Sequence, residues 1–392
     1  MTEQLVCASD FCDESFIPNT HNQKYHSPQC KRDMENVNRR RMVQDVAAAV
    51  APMYSEEDRE LLGQIEFLRS ENQRLARAAE KYKKARHEMV EAVYQAVTDN
   101  IKDIQLNPSP SPRLKSASGE PEVAAIGVAD WQLGKVTKTY STEALAERVE
   151  LYGDRIIRLT DKERADHPVN EAHLWVVGDI IEGEDIFSGQ SHLIDSSLYG
   201  QVAKHGPKIM SDFIRRLLGH FEKIEFHGVV GNHGSIGGRA RREYNDETNM
   251  DRMLYKITEH IFSNEPRIKF NIPDGFGERS FWTIDRIGNH ATLLVHGDQF
   301  PQPSTTHAYL KKVLGWKTGT LGEDFDDVFL GHYHHNMKFT FGNTVVRISG
   351  SPESDNTFAQ EFVGQMNRPS QHLQYVHPRR GVTAEYDVWL SD

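Results

Sequence analysis

The sequence predicts a layered α/β sandwich over residues 123–392, preceded by a small metal-folded module and a long self-associating helix. Three observations predict it. Strand and helix signals alternate from Val123 onward, and five short apolar strands each stop abruptly at a polar residue able to hold a metal. The first hundred residues instead hold all three cysteines and a long heptad pattern.

The front of the chain, residues 1–45, is read as a zinc-binding module with a basic helix. Cys7, Cys12, His26 and Cys30 give C-x4-C-x13-H-x3-C, close to structural zinc spacing, with His21 as a competitor for the same site. Phe16, Pro18 and Tyr25 are too few apolar groups to fold this segment, so one structural Zn²⁺ would supply the folding energy. The alternative is three free thiols in a disordered tail. Lys31, Arg32, Arg39, Arg40 and Arg41 follow, either as a solvated helix face or as phosphate-binding groups.

Residues 55–105 are read as a coiled coil. Ser55-x-x-Asp58 opens the segment as a helix cap. Leu61, Ile65, Leu68, Asn72, Leu75, Ala79, Tyr82, Met89, Val93 and Ala96 then recur at spacings of three and four, with Arg86 the one break. A narrow a/d seam over about five heptads favours a parallel homodimer, and Asn72 at an a position would set its register. The alternative is a helix packed on its own domain. Residues 107–122 are a Pro/Ser-rich linker.

After the linker, helices are expected near 142–164, 197–222 and 247–262, alternating with strands; beyond them strands predominate, giving a mostly antiparallel second half. The metal-bearing strand ends are Asp130 and Gln132, Asp179, Asn232 and His233, His296, and His332 and His334. Buried strands that end in this way deliver side chains to one sheet edge. Oxygen and imidazole donors without thiolates suit two divalent cations, Mn²⁺ first and Mg²⁺ as the alternative. Arg239, Arg241 and Arg242 follow His233 on a glycine-rich loop, as substrate-binding arginines or a solvated surface.

No run approaches the ~20 apolar residues of a membrane span, and the amino-terminal residues are polar, so a soluble cytoplasmic protein is expected. The formal charge of −11 excludes a generally basic nucleic-acid coat but leaves room for a local basic groove. At 392 residues and 38% hydrophobic content, two or three folded units are expected.

Asp130-x-Gln132, Gly178-Asp179, Gly231-Asn232-His233, His296-Gly297 and Gly331-His332-x-His334 resemble, in order, the signature of calcineurin-like metallophosphoesterases. The resemblance runs from Val123 onward. Gly178–Gln190 further resembles the exonuclease-type small subunit of archaeal D-family DNA polymerase, and more distantly the domain is similar to SbcD-type nucleases. The amino-terminal run FIPNTHNQKYHSPQC resembles a small zinc module of bacterial and phage proteins, with His26 where the third ligand is usually Cys.

The family resemblance implies an α/β/β/α sandwich with the metals at one end. It implies that Asp179 bridges, with Asp130, Gln132 and His334 on one ion and Asn232, His296 and His332 on the other. By the same resemblance His233 is a catalytic residue that protonates the leaving oxygen, and Gln132 stands where the family usually has His. Gly234 replaces a frequent acidic residue; Glu182, three positions past Asp179, is the candidate substitute orienter for His233. The expected function is cleavage of nucleic acid, most simply DNA, by a Mn²⁺-dependent exonuclease or endonuclease in replication, recombination or repair. The rivals are a phosphodiesterase or phosphatase for nucleotides, and a nucleic-acid-binding scaffold with a weakened site.

Overall fold

The computed structural model describes residues 4–20, 22–50, 61, 63–78, 80–81, 109, 111–112, 118–236, 246–273, 281–300, 306–355 and 368–391. The chain falls into two compact units, residues 1–82 and 83–392.

In the first unit, β1 (Leu5–Val6) and β2 (Ser15–Phe16) pair as a short antiparallel hairpin, and helix α1 spans Pro28–Val50. Proline at its first position costs no hydrogen bond, because that N–H is an orphan in any helix. Residues 63–78 form a second helix, α2. On it Ile65, Leu68 and Leu75 of the predicted seam are exposed, Leu75 at 58%, and Leu61 ahead of it is exposed too. The continuation expected at Tyr82, Met89, Val93 and Ala96 lies outside the described residues, as does His21.

In the second unit a six-stranded sheet runs in the order β13-β12-β3-β4-β5-β6 and a five-stranded sheet in the order β10-β11-β9-β8-β7. The strands of the first are β3 (Val123–Val128), β4 (Glu171–Val176), β5 (Lys223–Gly228), β6 (Ile268–Asn271), β12 (Ser370–His377) and β13 (Gly381–Trp389). Those of the second are β7 (Trp282–Ile287), β8 (His290–Val295), β9 (Asp327–Leu330), β10 (Met337–Phe341) and β11 (Thr344–Ile348).

Alternation along each strand builds three apolar layers. Ala124, Ile126, Leu174 and Val176 face α3 (Thr142–Glu163), α4 (Gly206–Leu218) and α5 (Met250–Ile261). Ala125, Trp175, Leu294 and Phe329 fill the space between the sheets. Leu293, Val295, Val328 and Leu330 meet Tyr309 and Val313 of α6 (Thr306–Gly315). The order is therefore helix, sheet, sheet, helix. Strands covered on both faces need apolar residues at nearly every position, and this is why they read as continuous runs in the sequence.

Helix α6 and strand β12 are not predicted by the sequence patterns above. The crossover through α6 lets β8 and β9 run parallel, and β9 pairs parallel with β11, so the five-stranded sheet is mixed rather than mostly antiparallel. In β12, Gln371, His372 and Gln374 are buried and dilute the apolar pattern. Gln371 instead acts as a second backbone, accepting from Ala129 N and donating to Ala129 O, each at 3.0 Å. The helix expected from 197 opens on a wide π turn over Gly200–His205 before α4 begins. From the predicted linker, Ser109 is docked on the second unit by Glu265 and Arg267.

Candidate metal centre

Strands β3, β4 and β5 are mutually parallel, and so are β8 and β9. Their carboxyl ends deliver Asp130, Asp179, Asn232, His296 and His332 to one crevice, the place where open α/β sheets hold ligands. Short backbone bonds tie the loops together: Asp130 N to Gly178 O at 3.1 Å, Gln132 N to Asp179 O at 3.0 Å, and Gly331 N to His296 O at 2.9 Å. Glycine is required at Gly231, where a Cβ would lie 2.1 Å from Asp179 Oδ1.

The backbone itself marks the site. Among the described residues, six non-glycine residues have positive φ; five of them are Asp130, Gln132, Asp179, His332 and His334, at 47–71°. Each costs of order 1–3 kcal/mol and persists only where the surroundings over-determine it. That five fall on side chains aimed into one crevice is the strongest structural mark of function in the molecule.

Asp179 lies at the centre and is almost fully buried. Its Oδ1 accepts from His233 N at 2.7 Å, and its Oδ2 lies 3.1 Å from His296 Nε2 and 3.4 Å from Gln132 Nε2. His296 Nε2 is also 3.2 Å from Asn232 Oδ1 and 3.2 Å from His332 Nδ1. The far nitrogen of His296, Nδ1, is fixed on Val177 O at 2.8 Å, which turns Nε2 toward the centre. On the other side His334 Nε2 is 3.5 Å from Asp130 Oδ1, while its Nδ1 is held by Glu353 at 2.7 Å.

The donors fit a pair of divalent cations. Asp130 Oδ1 and Gln132 Oε1 are buried oxygens without a hydrogen-bond partner, a costly arrangement in a metal-free interior. Asp179, His296 and His332 hold their ligand atoms within 4.8 Å of one another. Burial opposes charge on His296, yet Asp179 beside it pushes its pKa up to about 10; Asp130 and Glu353 do the same for His334, also to about 10. A proton there occupies the place of a cation. Burial and the His296 charge push His332 down to about 3, leaving that imidazole neutral as a ligand must be.

His233 stands beside this group, its Nε2 4.0 Å from Asp179 Oδ2. Its Nδ1 lies 2.9 Å from Glu182 O and 3.3 Å from Glu182 Oε2, so Glu182 orients the ring in the absence of an acidic residue at Gly234. Against burial, Asp179 and then Glu182 raise His233 to about 9.

Two supporting residues go beyond the sequence motifs. Asp251, second in α5, accepts from Asp179 N, Ile180 N and Gly231 N at 2.8–3.0 Å and so joins two ligand loops. Nothing in the sequence separates it from an ordinary acidic residue in a first helical turn. Glu353 holds His334 and also Lys135, at 2.8 Å from Nζ. A signal for it exists, since Gly350-Ser-Pro-Glu353 follows shortly after strand β11. Arg239, Arg241 and Arg242 lie outside the described residues.

In the amino-terminal unit Cys7, Cys12, His26 and Cys30 also hold their ligand atoms within 4.8 Å, and none of the cysteines is in a disulfide. Cys12 Sγ is 3.3 Å and Cys30 Sγ 3.5 Å from His26 Nδ1, and Cys7 Sγ accepts from His26 N at 3.4 Å. This thiolate-rich set suits zinc. Lys31, Arg32, Arg39, Arg40 and Arg41 are exposed on α1.

No family model matches the sequence, and no curated protein matches it. Solved structures do. Vacuolar Protein Sorting 29 from Cryptosporidium parvum is 10% identical at a TM-score of 0.32, covering 68% of this chain and 100% of its own. A novel archaeal phosphodiesterase is 11% identical at 0.31, covering 68% and 99%. A hypothetical protein from Pyrococcus horikoshii OT3 is 10% identical at 0.35, covering 68% and 88%. At these values the likeness assigns no activity. No helix among the described residues is long and apolar enough to cross a membrane.

Proposed function

We propose that this chain is a metal-dependent phosphodiesterase that holds two divalent cations and cleaves nucleic acid, DNA first among the polymers. The observation that carries the reading is the convergence of Asp130, Gln132, Asp179, His332 and His334, all on left-handed backbone, around a buried carboxylate that faces ligands on both sides.

Asp179 would bridge, with Asp130, Gln132 and His334 toward one ion and Asn232, His296 and His332 toward the other. Such a pair supplies an activated water and neutralises phosphate charge, with Mn²⁺ or Mg²⁺ compatible with these donors. Because most ligands are neutral amides and imidazoles, the loaded centre keeps net positive charge for an anionic substrate. His233, oriented by Glu182, is placed to give a proton to a leaving oxygen. The support for a polymeric substrate is the thiolate-imidazole cluster followed by the exposed arginines of α1. The seam on α2 supports a homodimer presenting two sites.

The test is incubation with end-labelled single- and double-stranded DNA, with Mn²⁺, Mg²⁺ or chelator, beside a small activated phosphodiester. Metal-dependent shortening of DNA supports the reading. Turnover of the small ester with intact DNA would replace it by a small-molecule phosphodiesterase.

A further inference from the structure

A second group of metal-ligating side chains lies in the same sandwich, on a different stretch of the strands. Glu171, His173 and Trp175 alternate along β4, and Glu225 and His227 along β5, all on the face turned toward the second sheet. Asp285 of β7 enters from that second sheet. His173 and His227 are 4% and 5% exposed and Asp285 2%. His173 is six residues before Asp179, roughly 20 Å along an extended strand, so this group is separate from the centre described above.

Its geometry is that of ligands without an ion. Asp285 Oδ2 lies 2.7 Å from His173 Nδ1 and also accepts from Trp175 Nε1 at 2.6 Å. Asp285 Oδ1 lies 3.2 Å from His227 Nε2. That same Nε2 faces Glu225 Oε2 at 3.6 Å, and a single ring proton serves one carboxylate, not two. His227 Nδ1 is buried with no partner, while Nε2 is also 3.3 Å from Asn271 Nδ2 and the ring stacks on His173. The ligand atoms of His173, His227 and Asp285 all lie within 4.8 Å of one another.

Charge points the same way. Glu171, Glu225 and Asp285 supply three carboxylates, while Lys223, salt-bridged to both glutamates at the rim, supplies one ammonium. Once both imidazoles have lost their protons, as ligation requires, two negative charges remain, which one divalent cation balances. The glutamates and Lys223 are partly exposed, giving an entry path from solvent.

We infer that His173, His227 and Asp285 form a third cation site, a structural one for a borderline divalent ion such as Zn²⁺, with water completing its coordination. Ligands at about 2.0–2.1 Å in a tetrahedron stand roughly 3.3 Å apart; Asp285 Oδ1 already stands 3.2 Å from His227 Nε2, and to share the ion His173 Nδ1 gives up its bond to Oδ2, which stays with Trp175 Nε1. The bound ion would clamp the edge of one sheet to the other.

The test uses the full-length, unaltered chain. Crystals soaked in a zinc salt at mildly alkaline pH are expected to show a zinc-edge anomalous peak between His173 Nδ1, His227 Nε2 and Asp285. Zinc at the Asp179 cluster with none here overturns the assignment. In solution, His227→Gln and Asp285→Asn are each expected to bind one zinc equivalent fewer than the parent by equilibrium dialysis, while Asp179→Asn keeps this ion. Equal zinc in parent and folded variants overturns it as well; if both variants fail to fold, the anomalous map on the parent chain decides.

Discussion

At Asp179 one carboxylate oxygen takes the His233 amide at 2.7 Å while the other faces His296 Nε2 at 3.1 Å, so a single side chain orders two loops and two ligand sets. Asp179→Asn keeps the shape and loses the charge. Hydrolysis is expected to vanish with the fold intact by circular dichroism, and full activity in Mn²⁺ would sink the two-metal reading. For His233→Ala the expectation is retained metal and a rate lower by roughly 10²–10⁴-fold, the usual worth of a positioned proton donor. Loss of metal in that variant would make His233 a ligand instead. Glu353→Gln removes the carboxylate that holds His334 Nδ1 at 2.7 Å. A partner of this kind is worth about 10–100-fold in metal affinity, and Mn²⁺ titration calorimetry should show one of two ions weakened by that factor. Unchanged affinity at both ions would confine Glu353 to its pairing with Lys135.

Elements carry their own tests. The inward face of β4 and β5 buries His173, whose pKa is pushed up to about 9: burial opposes the charge, but Asp285 and Glu171 bond it, with Glu225, Lys223 and His227 also facing the group. A raised histidine pKa gives stability that is complete below the unfolded value of 6.5 and fades as pH climbs toward 9. The metal-free chain should therefore show a urea midpoint that falls over this window, and His173→Gln should flatten that slope. Helix α2 leaves Leu68 and Leu75 exposed at 59% and 58%. If a second copy covers them, Leu68→Glu with Leu75→Glu should convert a dimer to a monomer by light scattering, because an unpaired charge in an apolar seam is costly to bury. A dimer indifferent to both substitutions would place its interface elsewhere.

At the scale of the whole molecule, the proposed function assigns catalysis to the second unit and DNA affinity in part to the first. A chain beginning at Ser118 keeps Glu120, whose carboxylate holds His377 at 2.7 Å and also bonds Arg379, and so retains the sandwich from its first strand onward. It should fold, bind metal and cleave a small activated phosphodiester. It should also hold DNA more weakly, with log K falling less steeply in log salt by about 0.9 for each phosphate that the basic residues of α1 would have neutralised. An unchanged salt slope would shift DNA binding onto the second unit and onto Arg239, Arg241 and Arg242.

Much of this was legible in the sequence, because strands buried on both faces leave an unbroken apolar signature and a polar residue at the end of one stands out. Asp130, Asp179, Asn232, His296 and His332 were visible for that reason; Cys7, Cys12, His26 and Cys30 stood out instead by their spacing within one short stretch. The helices expected near 142–164, 197–222 and 247–262 were legible as helix signals alternating with the strands. What the tertiary structure alone decided depends on side chains that do local-looking things at long range. Asp251 passes for a helix-start acid until the fold places it under two ligand loops. Glu353 meets His334 only because β11 lies beside β9. Gln371 hides β12 by bonding backbone in place of packing apolar surface. His173, His227 and Asp285 sit on three strands from two sheets, and no local pattern records a pairing made when two sheets close on each other.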